Sequence, residues 1–247
     1  MIASTLVYAG LLGSGLGLAT LIRPLRRSWI STRSRGAVVL ASGVAVTLTG
    51  LLLPAPFTRL PGELMRLDDF VPTYQFAEAH EVRVHAPPDR VYRAIREVTA
   101  DEIRFFQLLT WIRSPHLRGR GRESILNAPG GQPILAVALR SGFLLLAEEE
   151  EREVVLGTIV CCQPPPRGLT PEGFRTLDRP AFAKAAMNFR VTDEGKGWTR
   201  VTTQTRVVAT DAAASRRFAV YWRIIYPGSA FIRRMWLAAI ARRAEAP

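Results

Sequence analysis

The stretch "KAAMNFRVTDEGKGWTRVTTQTRVVATD", residues 184–211, decides the fold. Two alternating runs flank Gly195-Lys196-Gly197, and this predicts an antiparallel hairpin. One face of it carries Ala185, Met187, Phe189 and Val191, then Val201, Thr203, Thr205, Val207 and Ala209. The opposite face carries Lys184, Asn188, Arg190, Arg200, Gln204 and Arg206, and reads as solvated unless another element covers it. The apolar face turns half hydroxyl in its second strand. A dry core prefers Val or Ile there, whereas a lined cavity tolerates Thr because a buried hydroxyl needs a partner.

Downstream, Asp211 can cap a helix bearing Phe218, Tyr221, Trp222 and Ile225 at i, i+3, i+4 and i+7. Pro227-Gly228 is expected to interrupt it before Ile232, Met235, Trp236, Ala239 and Ile240 resume the stripe. Upstream, "QFAEAHEVRVH" alternates as a strand with Phe76, Glu78, His80, Val82 and Val84 on one face. Pro87-Pro88 stops it and opens a helix with Val91, Ile95 and Val98. Thr99 and Glu102 form a capping box before a second short helix with Ile103, Phe106 and Thr110. Residues 113–124 read as a basic loop, and residues 133–162 as two or three strands with Glu148–Glu151 as a solvated turn. The proline-rich run 163–180 reads as irregular.

The order strand, two helices, antiparallel strands, long helix resembles the START-like helix-grip superfamily, which includes polyketide cyclase/dehydrase and lipid-transfer proteins. "VRVHAPPDRVYRAI", "AMNFRVTDEGKGWTRVTTQTRV" and the closing helix carry the resemblance, across residues 70–245 or so. It implies an α+β domain in which a curved antiparallel sheet wraps the long C-terminal helix around an apolar cavity. Met187, Phe189, Thr203 and Thr205 would then face a hydrophobic ligand, with Tyr221 and Trp222 across from them.

Residues 1–57 read as a transmembrane hairpin. No side chain is charged from Ile2 to Ile22, nor from Gly36 to Phe57, and each run can cross about 30 Å of hydrocarbon. A buried soluble helix or a signal peptide would explain two such runs in tandem less readily than one. Arg23, Arg26, Arg27, Arg33 and Arg35 in the loop 23–35 place it in the cytoplasm, with the domain from residue 70 on the outer side of a bacterial plasma membrane. Arg59 and Arg66 argue weakly for the reverse. Gly13 and Gly17 have the spacing that lets helices approach closely. Residues 58–69 are a linker.

The chain has 247 residues and a charge of +12, and Lys184 and Lys196 are the only lysines among its 33 basic residues. Without a recognition motif that skew does not indicate nucleic acid. Cys161 and Cys162 are adjacent, closer than ordinary disulfide geometry, and read as strand residues on opposite faces. Of the three histidines, His80 and His85 fall on opposite faces of one strand, and His116 lies apart. With no HExxH or DxDxDG motif, neither metal nor cofactor is expected. Nucleophile elbow, P-loop and dinucleotide fingerprint are missing too.

One catalytic constellation survives. Glu78 and His80 share the inward face, where a desolvated carboxylate beside an imidazole can act as a general base. If the strand frays, both stand in water. Arg113, Arg118, Arg120 and Arg122 offer contacts to membrane lipid phosphates, or form a soluble loop. Three readings stay open: a membrane-tethered module binding or transferring a lipid, isoprenoid or polyketide-like molecule; a cyclase- or aromatase-like enzyme using Glu78 and His80; and a structural or regulatory module with a filled interior. The sequence assigns no oligomeric state.

Overall fold

The computed structural model describes residues 2–23, 32–59, 65–106, 110 and 128–247. The basic loop 113–124, with its four arginines, and Arg26 and Arg27 of the loop 23–35 fall outside them. In chain order the elements are α1 (Ile2–Ile22), α2 (Arg33–Leu52), β1 (Phe76–Val84), α3 (Pro88–Glu97), α4 (Ile134–Arg140), β2 (Leu144–Glu149), β3 (Glu153–Cys161), α5 (Pro171–Thr176), β4 (Ala183–Gly195), β5 (Trp198–Ala209) and α6 (Ala212–Glu245).

The opening hairpin is β4–β5. Gly195 pairs with Trp198 across Lys196 and Gly197, whose φ values of 53° and 76° match the turn that follows strand twist. All five strands are antiparallel in the order β1-β5-β4-β3-β2. The inner face gives Val84, Val154, Leu156, Met187, Phe189 and Val201 to a core completed by α3, α4 and the last turns of α6. Pro87 and Pro88 end β1 and start α3, whose Val91 and Ile95 are fully buried. The Thr99 amide donates to Glu102 at 2.7 Å, as the capping box predicts, and Glu102 in turn binds Arg243 of α6 at 2.9 Å.

The structure departs from the sequence reading in several places. Ile134–Arg140 is a helix, not a strand: a short apolar run has no decisive period, and Leu and Ala favour helix until Gly142, at φ 102°, ends the turn. Within the proline-rich run, Thr170 caps the short helix α5, which buries Phe174. Pro227 does not interrupt α6, where it removes one N–H from an otherwise continuous helix. Glu148 is exposed but does not lie in the turn: it belongs to β2 and accepts from the Tyr92 hydroxyl at 2.5 Å, with Arg96 at 3.2 Å. Burial and this carboxylate push the Tyr92 phenol well above its ordinary value. Cys161 and Cys162 are bonded to each other; Cys162, at φ 81°, has left the strand, so the two do not alternate across the sheet.

The largest correction concerns the outer face of the sheet. Leu67, Val71, Tyr74 and Phe174 cover it, so Lys184, Asn188 and Arg206 are buried rather than solvated. Their polarity is answered largely by the chain before β1. The Glu153 carboxylate accepts the backbone amides of Arg66 (2.9 Å) and Leu67 (3.3 Å) and the Asn188 side-chain amide (2.7 Å). Arg206 donates to Asp68 (2.6 Å) and to the Val71 carbonyl (3.1 Å), and lies over the Tyr74 ring. Lys184 donates to the carbonyls of Phe174 and Arg175, both at 3.1 Å. Buried charge persists where such partners replace water.

The chain divides into two compact units, Pro56–Ser215 with Pro227–Pro247, and Met1–Ala55 with Arg216–Tyr226. In the second, α1 and α2 run antiparallel and are long and apolar enough to cross a membrane by length and composition. Their contact is built on Gly10 and Gly17 against Gly36, Gly43 and Gly50, spaced seven apart. A Cβ at Gly17 would strike the Leu40 nitrogen, and one at Gly43 the Ser14 nitrogen. At Gly13 a Cβ would only touch Gly43 at 3.5 Å. The close seam is therefore the seven-residue glycine repeat, with Gly13 a lesser contributor.

Candidate functional site

Strand register aligns one row of side chains across the inner face. Glu78 of β1 lies opposite Thr205 of β5, and Thr205 lies opposite Met187 of β4. His80, opposite Thr203, is on the same face one step along. Its Nε2 is 2.8 Å from Glu78 Oε1, and the side chains are 9 % and 2 % exposed. The strand does not fray here: every residue of β1 pairs with β5.

Arg233 of α6 comes down on this row. It donates to Thr205 Oγ1 at 2.9 Å and meets Met187 Sδ at 3.4 Å. Its guanidinium lies 5.7 Å from the Phe189 ring and 5.3 Å from that of Trp236, and those two rings are tilted against each other at 5.0 Å. Such a planar cation over aromatic faces is held by their quadrupoles as well as by its hydrogen bond. Buried polar atoms of the cluster with no hydrogen-bonding partner among the described residues include the second Glu78 oxygen, an acceptor, and the Trp236 indole N–H, a donor. Buried polar atoms without partners are rare in folded proteins and each calls for an explanation.

The half-hydroxyl face now has a physical account. The Thr203 hydroxyl donates to the Asn188 carbonyl at 2.6 Å, and the Thr199 hydroxyl to the Ala86 carbonyl at 2.7 Å. Between the pairs Met187–Thr205 and Arg190–Thr202, the Gln204 amide is bonded by the Asn188 side-chain oxygen at 2.8 Å. Thr203 thus serves the joint between β4 and β5. Thr205 is the hydroxyl that meets a side chain from the helix.

Met187, Phe189, Thr203 and Thr205 come together with Glu78 and His80 on one face. Tyr221 and Trp222 belong to the Arg216–Tyr226 segment of the other unit, in an aromatic group with Phe218 and Tyr226. The α6 residues that meet Met187 and Phe189 are Arg233 and Trp236, about three turns further on. Sequence reading followed only the apolar stripe of this helix and so missed Arg233. The available signal was its position between Ile232 and Trp236, at the border of the apolar stripe.

An open groove of about 630 Å³ lies on the other side of the sheet, lined by Met65, Asp69, Arg152 and Asp193 among others. Its charges pair locally, Arg66 with Asp69 at 3.0 Å and Arg152 with Glu149 at 2.9 Å, which does not suit an apolar ligand. Among the described residues no cluster of His, Cys, Asp and Glu could hold a metal ion.

No protein-family model matches this chain. No curated protein matches it either. Solved structures that resemble it include TTHA0849 of Thermus thermophilus, at 12 % identity over 68 % of this chain and 97 % of the other, with a TM-score of 0.29. Hypothetical protein jhp0584 of Helicobacter pylori matches at 8 % identity over 76 % and 98 %, with a TM-score of 0.35. The Zhui aromatase/cyclase of a Streptomyces species matches at 14 % identity over 69 % and 96 %, with a TM-score of 0.26.

Proposed function

We propose that this chain is a membrane-anchored, START-like helix-grip protein that binds or transfers a hydrophobic small molecule on the inner face of its sheet. The ligand is an amphiphile of the lipid, isoprenoid or polyketide-like kind, and α1 and α2 anchor the protein in the bilayer that supplies it. The observation that carries the reading is the pair of buried, unpartnered polar atoms, Glu78 Oε2 and Trp236 Nε1, in a cluster otherwise walled by Met187 and Phe189. A ligand with a donor for the carboxylate and an acceptor for the indole satisfies both, and its apolar body suits the surrounding wall. Thr205 and Arg233 orient the polar end; Thr203 keeps the strands joined. The loop 23–35 then lies in the cytoplasm and the α+β unit outside it.

The test is extraction of the full-length chain, purified in mild detergent, followed by mass spectrometry of what is released. A near-stoichiometric amphiphile, depleted from a folded Glu78→Leu variant, is the expected result. An empty, folded protein from native membranes would overturn it in favour of a filled interior. One observation favours a second reading, a cyclase- or aromatase-like enzyme: the buried 2.8 Å contact between Glu78 and His80 is suited to moving a proton. Once the amphiphile is known, turnover that survives His80→Gln would end that reading while leaving the carrier intact.

A further inference from the structure

The segment of α6 that groups with the two apolar helices has two unlike faces. Its buried face holds Phe218, Trp222 and Arg223. Arg223 is 3 % exposed, and its two terminal nitrogens donate to the Leu51 and Leu53 carbonyls, where α2 ends before Pro54. Those carbonyls lack helical partners and carry the negative end of the helix dipole, so a cation is well placed there. Burial holds the Arg223 guanidinium below its ordinary value without removing its charge. The Tyr8 hydroxyl of α1 donates to the Ile224 carbonyl. This segment is therefore fastened to the end of the apolar pair, not to its middle.

The opposite face carries Arg217, Val220, Tyr221 and Ile224 at i, i+3, i+4 and i+7, with Arg216 beside them. Val220, Tyr221 and Ile224 are 40 %, 38 % and 50 % exposed. A stripe of apolar and aromatic side chains with flanking arginines is the composition of a helix lying in a bilayer interface, where the rings sit among headgroups and the cations meet lipid phosphate. Water alone offers such a stripe no compensation for its apolar area.

We infer that the Arg217–Ile224 face of α6 is a lipid-contacting surface that rests in the headgroup layer of an anionic membrane. The inference rests on the reading of α1 and α2 as membrane spans. It assigns Tyr221, expected from sequence to line a ligand cavity, to lipid instead.

The test uses the full-length chain in vesicles of phosphatidylcholine and phosphatidylglycerol. Spin labels are placed singly through Leu12→Cys, Ile224→Cys and Val160→Cys in a Cys161→Ser/Cys162→Ser background, each variant checked for native circular dichroism. Collision with oxygen is compared with collision with a water-soluble nickel chelate. The expected result is a several-fold higher oxygen-to-nickel ratio at positions 12 and 224 than at 160. On the Arg216→Glu/Arg217→Glu background the ratio at 224 falls in the anionic vesicles and stays unchanged in pure phosphatidylcholine. A nickel-accessible label at 224 with an oxygen-accessible one at 12 would overturn the surface while leaving the membrane spans standing. Nickel access at both would overturn the spans and the surface together. Protection of 224 from both reagents would assign the face to a protein partner or a second copy, and overturn the lipid assignment.

Discussion

Exchanging two buried side chains beneath the sheet tests whether the outer-face network holds the chain before β1 in place. Glu153 and Asn188 are 3 % and 1 % exposed, and both carboxylate oxygens accept hydrogen bonds. Glu153→Gln keeps the shape but turns one acceptor into a donor. The cheaper orientation points the new NH₂ at the Arg66 amide, which loses its 2.9 Å bond, while the bonds to Leu67 and Asn188 lose their charge. One charge-assisted bond lost is about 1.5–3 kcal/mol, and weaker remaining bonds bring the expected cost to about 3 kcal/mol. Asn188→Asp alone is worse, because it sets two carboxylates against each other across the 2.7 Å contact and costs roughly 3–5 kcal/mol as an unpaired buried charge. In the Glu153→Gln/Asn188→Asp double variant the new side-chain amide at position 153 donates to the new carboxylate at position 188. The other oxygen of that carboxylate still accepts the Gln204 amide, bonded at 2.8 Å in the native chain. The double variant is therefore expected to be more stable than Asn188→Asp alone, with a coupling of about 1–3 kcal/mol. Thermal unfolding of the full chain in detergent, followed by near-ultraviolet circular dichroism, reads this at about 2–4 °C per kcal/mol for a domain of this size. If the two single costs simply add, or the second substitution lowers Tm further, the network is not the one described.

Other substitutions address separate parts of the molecule. Thr203→Val removes the bond to the Asn188 carbonyl and is expected to cost about 1–2 kcal/mol of stability with ligand retention unchanged. Thr205→Val should do the reverse, sparing Tm and reducing co-purified ligand, because it releases Arg233. Gly43→Val should disrupt the α1–α2 seam and lower the temperature of aggregation in detergent, whereas Gly15→Ala, with nothing within 4 Å, should be silent. Partial burial pushes the Glu102 carboxyl up, but the Thr99 amide and Arg243 outweigh it and hold it below the ordinary 4.5 of glutamate. A lowered folded-state value stabilises the protein above the unfolded value and is lost as pH falls through the folded one. The Tm advantage of the native chain over Glu102→Gln should accordingly be level above pH 4.5 and disappear below it.

Residues 184–211 made the β4–β5 hairpin and its turn legible because alternation and glycine spacing are local properties. The Pro87-Pro88 boundary, the Thr99–Glu102 cap and the Asp211 cap were legible for the same reason. Glu78 and His80 could be placed on one face by parity alone. What parity could not show is which chain covers a face: Lys184, Asn188 and Arg206 look solvated until Leu67, Val71 and Tyr74 are known to lie on them. Nor could it locate Arg233, since a helical period fixes a side chain's direction around the axis but not which strand waits beneath it. Thr203 and Thr205 look alike in sequence and differ only in what lies within reach of the hydroxyl. Pro227 misled because a proline's missing hydrogen bond is a local cost, while the tertiary packing on both sides that carries a helix past it is not written locally.

The order of strands also sets a timetable. β2 meets β3, β3 meets β4 and β4 meets β5 as each emerges, but β1 pairs only with β5, from Phe76 with Val207 to Val84 with Thr199. The first strand made must wait for the last. Throughout translation of the intervening chain, Glu78 and His80 sit on an unpaired edge, and long-range pairing of this kind is slow to form. A ribosome that stalls before Trp198 releases a chain with β1 open along its length, a template for aggregation or for proteases. Completion of the sheet therefore brings Glu78 and Thr205 together in one step, and Arg233 joins their row only when α6 follows.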